Sequence, residues 1–396
     1  MARVEFANAL RGLAALSVVV SHYDSFFFGS ANFLGAIANT PPPVRVASRA
    51  LDSWQAFLSA FPFSGGEFGV GLFFLISGFV IPISLQKYNW RGFLIGRILR
   101  IYPTYFAGFA VTLLALWVAG SVYGKPFPYD IRAVLAHFIP GARDLLGSTN
   151  IDYVVWTLEI EVKFYVICAA ACVWLRHGDR RLFAIPVAMA VCAIGFQVLS
   201  PVWLGASALS SDIAYVAHRA GHQFTLVSRF IAFMFIGVAF NYHYRRHLRP
   251  IELAAVTLGL AILFCVMWRI QWSVAPATTP ELSPMMVGSY GLALAVFSAS
   301  YLLARLWPPN RVLTFFADIS YPLYVVHGIA GYVALRIMVA QGIGPLAALL
   351  LALSGALAIS WLLHIAIELP THRLGQRWAR MACAGEWAER AAEVRP

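Results

Sequence analysis

Arg11 and His22 bracket the stretch RGLAALSVVVSH, in which every other residue is apolar or small. As a helix, the eleven-residue step turns through about 1100°, about 20° past three full turns, and rises roughly 16 Å. Both side chains then point to one face, half a bilayer apart. A guanidinium is a forked hydrogen-bond donor for anions, and a neutral imidazole can take a proton from a hydroxyl. The plainer alternatives are an arginine reaching for the interface and a satisfied core histidine. Asp24 is two positions beyond His22 and so about 200° away around the helix. Any partner for His22 must come from another helix.

Other polar residues sit in similarly apolar surroundings, where a charge is costly and normally faces a cavity or a partner. Arg97 and Arg100 are three apart and share a face if helical; ordinary cytoplasmic positive charge is the competing reading. Glu161, close to Lys163, is a candidate either to orient His22 or to balance the arginines. Tyr324 and His327, also three apart, either line an internal passage or tie helices together. Ser77 and Gly78 in FLISGF lack the base and turn context of a serine hydrolase, which favours close helix packing. Arg229 and Arg336 lie near span ends and read as snorkelling side chains. His218 and His222 in HRAGH have zinc-like spacing but no evident third ligand, so no metal is expected. The five cysteines form neither a disulfide framework nor a paired metal motif.

These side chains need a scaffold, and the composition specifies which kind. Of 396 residues 60% are hydrophobic and 12% charged, which no ordinary soluble domain matches. Apolar runs of about 20 residues recur, each long enough to cross the hydrocarbon as a helix. Ten spans are expected, at 7–27, 67–86, 101–121, 153–175, 182–200, 224–242, 251–270, 285–304, 318–339 and 346–367. The fold class is therefore an all-α integral membrane protein, a bundle of about ten transmembrane helices. Basic residues concentrate in alternate gaps and at both ends, which puts both termini in the cytoplasm. The net charge of +11 is then topology plus attraction to anionic membrane lipid, with no call for nucleic acid. After PPP at 41–43, the residues Ala47, Leu51, Trp54, Leu58 and Phe61 recur at three and four, giving an interfacial helix at about 44–63.

Taken in order, several motifs resemble those of the membrane-bound acyltransferase family 3. ALRGLAALSVVVSH resembles its first-helix arginine-to-histidine signature. GVGLFFLISGF (Gly69 to Phe79) is similar to its second-helix motif, and RILRIYP (Arg97 to Pro103) to its paired-arginine motif. WTLEIEVKFY (Trp156 to Tyr165), ISYPLYVVH (Ile319 to His327) and ELPTHR (Glu368 to Arg373) resemble three later ones. Individually several are weak; six in order over residues 7 to 373 are specific. Two departures stand out. Gly71 occupies a position where many relatives carry an acid, with Glu67 one turn earlier, and Glu159 adds a carboxylate beside Glu161.

The resemblance implies an acyl-CoA-dependent O-acyltransferase in a cell membrane, multi-pass and bacterial inner membrane by expectation. Residues 1–370 form the acyltransferase transmembrane domain and 371–396 a short basic cytoplasmic tail. Acetyl-CoA or another acyl-CoA is the donor substrate, with no permanently bound cofactor, and a carbohydrate or glycolipid hydroxyl is the acceptor. Arg11, Arg97 and Arg100 would hold donor phosphates. Ser77, Gly78, Tyr324 and His327 would flank the pantetheine arm, and His22, assisted by Glu161, would act as general base. His22 as a covalent acyl carrier is the less economical route, because CoA already leaves well. A secondary transporter or exporter also carries midplane charges, but commonly shows matched internal repeats. The Arg11 to His22 helix has no counterpart in the second half.

Overall fold

Helix is the only regular structure among the described residues. The computed structural model describes residues 5–43, 48–61, 63–139, 141, 143–208, 212–274, 284–308 and 310–393. In chain order, α1 (Glu5–Phe28) is followed by two short helices, α2 (Ala31–Ile37) and α3 (Arg49–Ser59). Ser30 and Ser48 cap them by accepting from the Phe33 and Leu51 amides. Helix α4 (Gly65–Leu85) turns into α5 (Trp90–Tyr123), which begins where Asn89 accepts the Gly92 N–H at 2.7 Å. Gly124, at φ 62°, ends α5 in the left-handed conformation that favours glycine.

Next come α6 (Ile131–His137), α7 (Val155–Ala170), α8 (Cys172–His177) and α9 (Ala184–Ala208). They lead to α10 (Asp212–Tyr244), α11 (Pro250–Val274) and α12 (Pro284–Leu302). Then α13 (Arg311–Asp318), α14 (Ser320–Val326) and α15 (Ile329–Ala340) precede α16 (Pro345–Leu363). A π-turn at His364–Glu368 joins α16 to α17 (Leu369–Glu393).

Six of these helices are long and apolar enough to cross a membrane, seven if α14 and α15 form one broken span. The stretches expected at 7–27, 153–175 and 182–200 are also helical but fall outside that set. Helix α1 has the length yet carries Arg11, His22 and Asp24, and α7 has only 16 residues. The run 153–175 breaks at Ala171 between α7 and α8, and the run 318–339 bends by 58° between α14 and α15. At that bend Gly328 adopts ψ −106°, which no helix accommodates. Residues 371–396 were expected as a short tail; the described part continues α17, which packs along α5. The expected interfacial helix corresponds to α3, with 44–47 and 62 outside the described residues.

Helix α4 is the hub, packed along α1, α10, α12 and α7. Its crossing with α10 is close because Gly78 and Gly237 oppose each other. A Cβ on Gly78 would run into the Met234 carbonyl oxygen, and one on Gly237 into the Leu75 carbonyl oxygen. Aromatic rings fill the remaining volume. Phe6, Phe79, Phe297 and Tyr301 meet edge to face, with centroids 5.4 to 6.1 Å apart.

Candidate active site

Five helices bring polar side chains to one cavity: Arg11 from α1, Ser77 from α4, Arg97 and Arg100 from α5, Glu161 from α7 and Tyr324 from α14. It holds about 830 Å³ of space free of protein atoms, counting its open side. The helical register explains the convergence. Arg97 and Arg100, three apart in an unbroken helix, share a face, and Thr157, Leu158, Glu161 and Tyr165 form one stripe of α7.

The arginines are not neutralised. Arg97 donates from Nη2 to Ser84 Oγ at 2.7 Å, and its guanidinium lies over the rings of Phe93 (5.4 Å) and Tyr165 (5.3 Å). Glu161 Oε1 accepts from Ser77 Oγ at 2.9 Å and from Tyr165 OH at 2.6 Å. Glu161 is in Coulombic reach of Arg11, as are Arg97 and Arg100. No ion pair to Arg11, Arg97 or Arg100 occurs among the described residues. Three cations facing one carboxylate leave the cavity with a net positive field suited to an anionic ligand.

A second concavity, lined by Ser84, Lys87, Tyr88, Gly92, His372 and Gln376 among others, shares Arg97 and Arg100 with the first. The two guanidinium groups therefore stand where the two spaces meet. At the C-terminal end of α16, Glu368 pairs with His364 Nδ1 at 2.7 Å within the π-turn.

His22 lies outside the lining of the arginine cavity and is reached through α14. Tyr324, on the cavity wall, shares a hydrogen bond with Thr157 Oγ1 at 2.8 Å, and its ring centroid is 5.8 Å from that of His327. His327 in turn lies 4.7 Å, centroid to centroid, from His22. On another side, Tyr332 stacks parallel to the His22 ring at 6.2 Å. Among the described residues, the hydrogen bonds of Glu161 go to Ser77 and Tyr165, and of the two rings beside His22 that of His327 is the nearer. Gly78 faces α10 at the helix crossing, not the cavity.

Several polar residues have roles that spacing alone did not reveal. Glu159 and Glu161 are two apart, hence on different faces of α7. Glu161 enters the cavity, whereas buried Glu159 takes a forked pair of hydrogen bonds from Arg143 in the 138–154 connection, Nε at 2.8 Å and Nη2 at 2.6 Å. Beside it Lys163 binds Asp144 at 2.8 Å. Asp152 accepts from the Val154 and Val155 amides at the start of α7 and from Tyr105 OH at 2.9 Å. Arg229 overturns the snorkelling expectation. It is 4% exposed, with its guanidinium 3.9 Å from the Trp268 centroid and 4.5 Å from that of Phe230. Its Nε and Nη1 are buried without a hydrogen-bond partner. The apolar residues around it give no interface to reach for. Arg336 donates to the Pro41 carbonyl at 3.1 Å. The side chain of His218 lies outside the described residues.

Comparison with known proteins identifies the family. Residues 4–365 match the profile of a family described as an acyltransferase domain. The chain is 26% identical over 279 residues to Nodulation protein 10 of Rhizobium leguminosarum bv. viciae, spanning 65% of this chain and 70% of that protein. No solved structure matches. With that profile extending over nearly its whole length, this helical membrane protein belongs to acyltransferase family 3.

Proposed function

We propose that the protein transfers an acyl group, acetyl in the simplest case, from cytoplasmic acyl-CoA to a hydroxyl of a glycan, glycolipid or related acceptor on the outer side. In this reading ten spans cross a bacterial inner membrane and both termini are cytoplasmic. His22 is the general base. Arg11, Arg97 and Arg100 bind donor phosphates, and Glu161 offsets part of their charge. Ser77 and Tyr324 flank the thioester arm, and His327 lies beyond them next to His22.

The supporting observation is the shared cavity: three arginines, one carboxylate and no ion pair to those arginines among the described residues. A phosphate-bearing ligand supplies the missing anions, and guanidinium forks hold phosphates by charge-assisted bonds. The roughly 16 Å rise from Arg11 to His22 along α1 suits a donor with its charged handle at one end and its thioester at the other. Gly78 belongs to the helix crossing that supports the cavity, so its part in this reading is structural.

Titration of CoA into detergent-solubilised protein tests the donor site. The double variant Arg97→Gln/Arg100→Gln is expected to bind CoA about 10- to 100-fold more weakly, as expected for lost hydrogen bonds to a charged group. Pantetheine, which lacks the nucleotide phosphates, should not compete. Unchanged CoA affinity in the variant, or effective competition by pantetheine, would overturn the phosphate-handle reading.

A further inference from the structure

His327 is fully buried at the junction of α14 and α15, next to the bend at Gly328. Its Nδ1 lies 2.9 Å from the Leu323 carbonyl oxygen. A carbonyl only accepts, so Nδ1 carries the proton and the neutral ring keeps its lone pair on Nε2. That Nε2 is buried without a hydrogen-bond partner, and so is Nδ1 of His22. The two rings touch, with centroids 4.7 Å apart and planes inclined by 54°. The two atoms are not hydrogen-bonded to each other in this structure, but buried polar atoms are normally satisfied, and once the rings turn toward each other these two match as acceptor and donor.

We propose that His327 is the positioning residue for His22: its Nε2 accepts from Nδ1–H of His22, which leaves the His22 lone pair on Nε2, facing the acceptor hydroxyl. The assignment rests on the reading of His22 as general base. It answers which other helix supplies the partner that Asp24 cannot be, and it replaces Glu161, whose hydrogen bonds go elsewhere, in the orienting role. Tyr332, stacked 6.2 Å from the His22 ring at 7°, helps hold the ring orientation.

The acceptor O–H proton passes to His22 Nε2 as the oxygen bonds to the thioester carbonyl carbon. The carbon–sulfur bond breaks, and the departing CoA sulfur takes that proton from Nε2. The Nδ1 proton stays in place, and its hydrogen bond to His327 stabilises the imidazolium formed between the two steps.

Two measurements test the pairing. The first is release of CoA thiol from acetyl-CoA by protein in n-octyl β-D-glucopyranoside, which serves as detergent and hydroxyl acceptor. His327→Phe, which cannot accept, should lower kcat by about 100-fold with the KM for acetyl-CoA unchanged, the scale of a lost general base. His327→Gln, whose amide oxygen accepts, should recover at least about ten-fold of that loss. His327→Phe should cost nothing further when added to His22→Ala. A wild-type kcat in His327→Phe, equal impairment in Phe and Gln variants, or additive losses would overturn the proposal. The second is the nitrogen-15 spectrum of histidine-labelled protein, with the His22 signals identified by their loss in His22→Ala. The proposal requires Nδ1–H on His22 in wild type and a changed tautomer in His327→Phe; Nε2–H in the wild type overturns it whatever the turnover. Wild-type protein that shows the predicted tautomer yet releases no thiol would overturn transfer from acetyl-CoA to an alkyl glucoside and leave the pairing standing.

Discussion

Arg143 and Glu159 form a closed fork: Nε and Nη2 of the guanidinium each donate to one carboxylate oxygen, at 2.8 and 2.6 Å, with both side chains buried. Nη1 of the same arginine holds the Ser148 carbonyl at 2.8 Å, so the connection before α7 is clamped to that helix. Breaking one side of a buried pair strands the other charge. Arg143→Met should therefore destabilise by about 3–5 kcal/mol, and adding Glu159→Leu should recover most of that. Thermal unfolding in detergent measures both. An Arg143→Met variant as stable as wild type would show that the pair carries no structural load.

The α4–α10 crossing leads to a second prediction. A methyl on Gly78 meets the Met234 carbonyl oxygen of α10, and backbone cannot yield as a flexible side chain would. Gly78→Ala should therefore force the helices apart, with a loss of a few kcal/mol typical of an overpacked core (about 1–3). Gly259→Ala, on α11 with nothing within 4 Å of the added carbon, is the control and should be neutral or slightly stabilising. Size-exclusion profiles and unfolding midpoints separate the two. Equal stability of both variants would contradict the close crossing.

Glu161 gives a kinetic prediction. Its carboxylate is bonded to Ser77 and Tyr165 among three arginines, so its charge competes with the donor phosphates. Glu161→Gln keeps an acceptor oxygen for Ser77 and Tyr165 while removing the charge. The expected result is a KM for acetyl-CoA shifted by about two- to ten-fold, with kcat within about two-fold of wild type. A large fall in kcat at constant KM would instead identify Glu161 as the group that orients the base.

The helical register made much of this legible in the sequence. The three-residue step from Arg97 to Arg100 put both on one face, and an unbroken α5 delivers both to the cavity. The eleven-residue step on α1 marked Arg11 and His22 and excluded Asp24. What spacing within one helix cannot encode is the partner supplied by another segment of the chain. Arg143 with Glu159, Lys163 with Asp144 and His327 beside His22 all depend on long-range packing. Arg229 was misread for a related reason. Its position near a span end suggested water, whereas Trp268 and Phe230, brought in by α11 and by its own helix, enclose it. The bend at Gly328 was also missed, because an apolar run reads the same whether it is straight or broken.

If His22 performs the transfer while the arginine cavity binds the donor, transfer of labelled acetyl from acetyl-CoA by membrane vesicles must depend on His22. The acceptor is n-octyl β-D-glucopyranoside, below its detergent concentration, and wild type is compared with His22→Ala. His22→Ala should fold and bind CoA with wild-type affinity while transfer falls by about 100-fold or more, the scale of a lost general base. A His22→Ala protein that binds donor and transfers the label at the wild-type rate would contradict it.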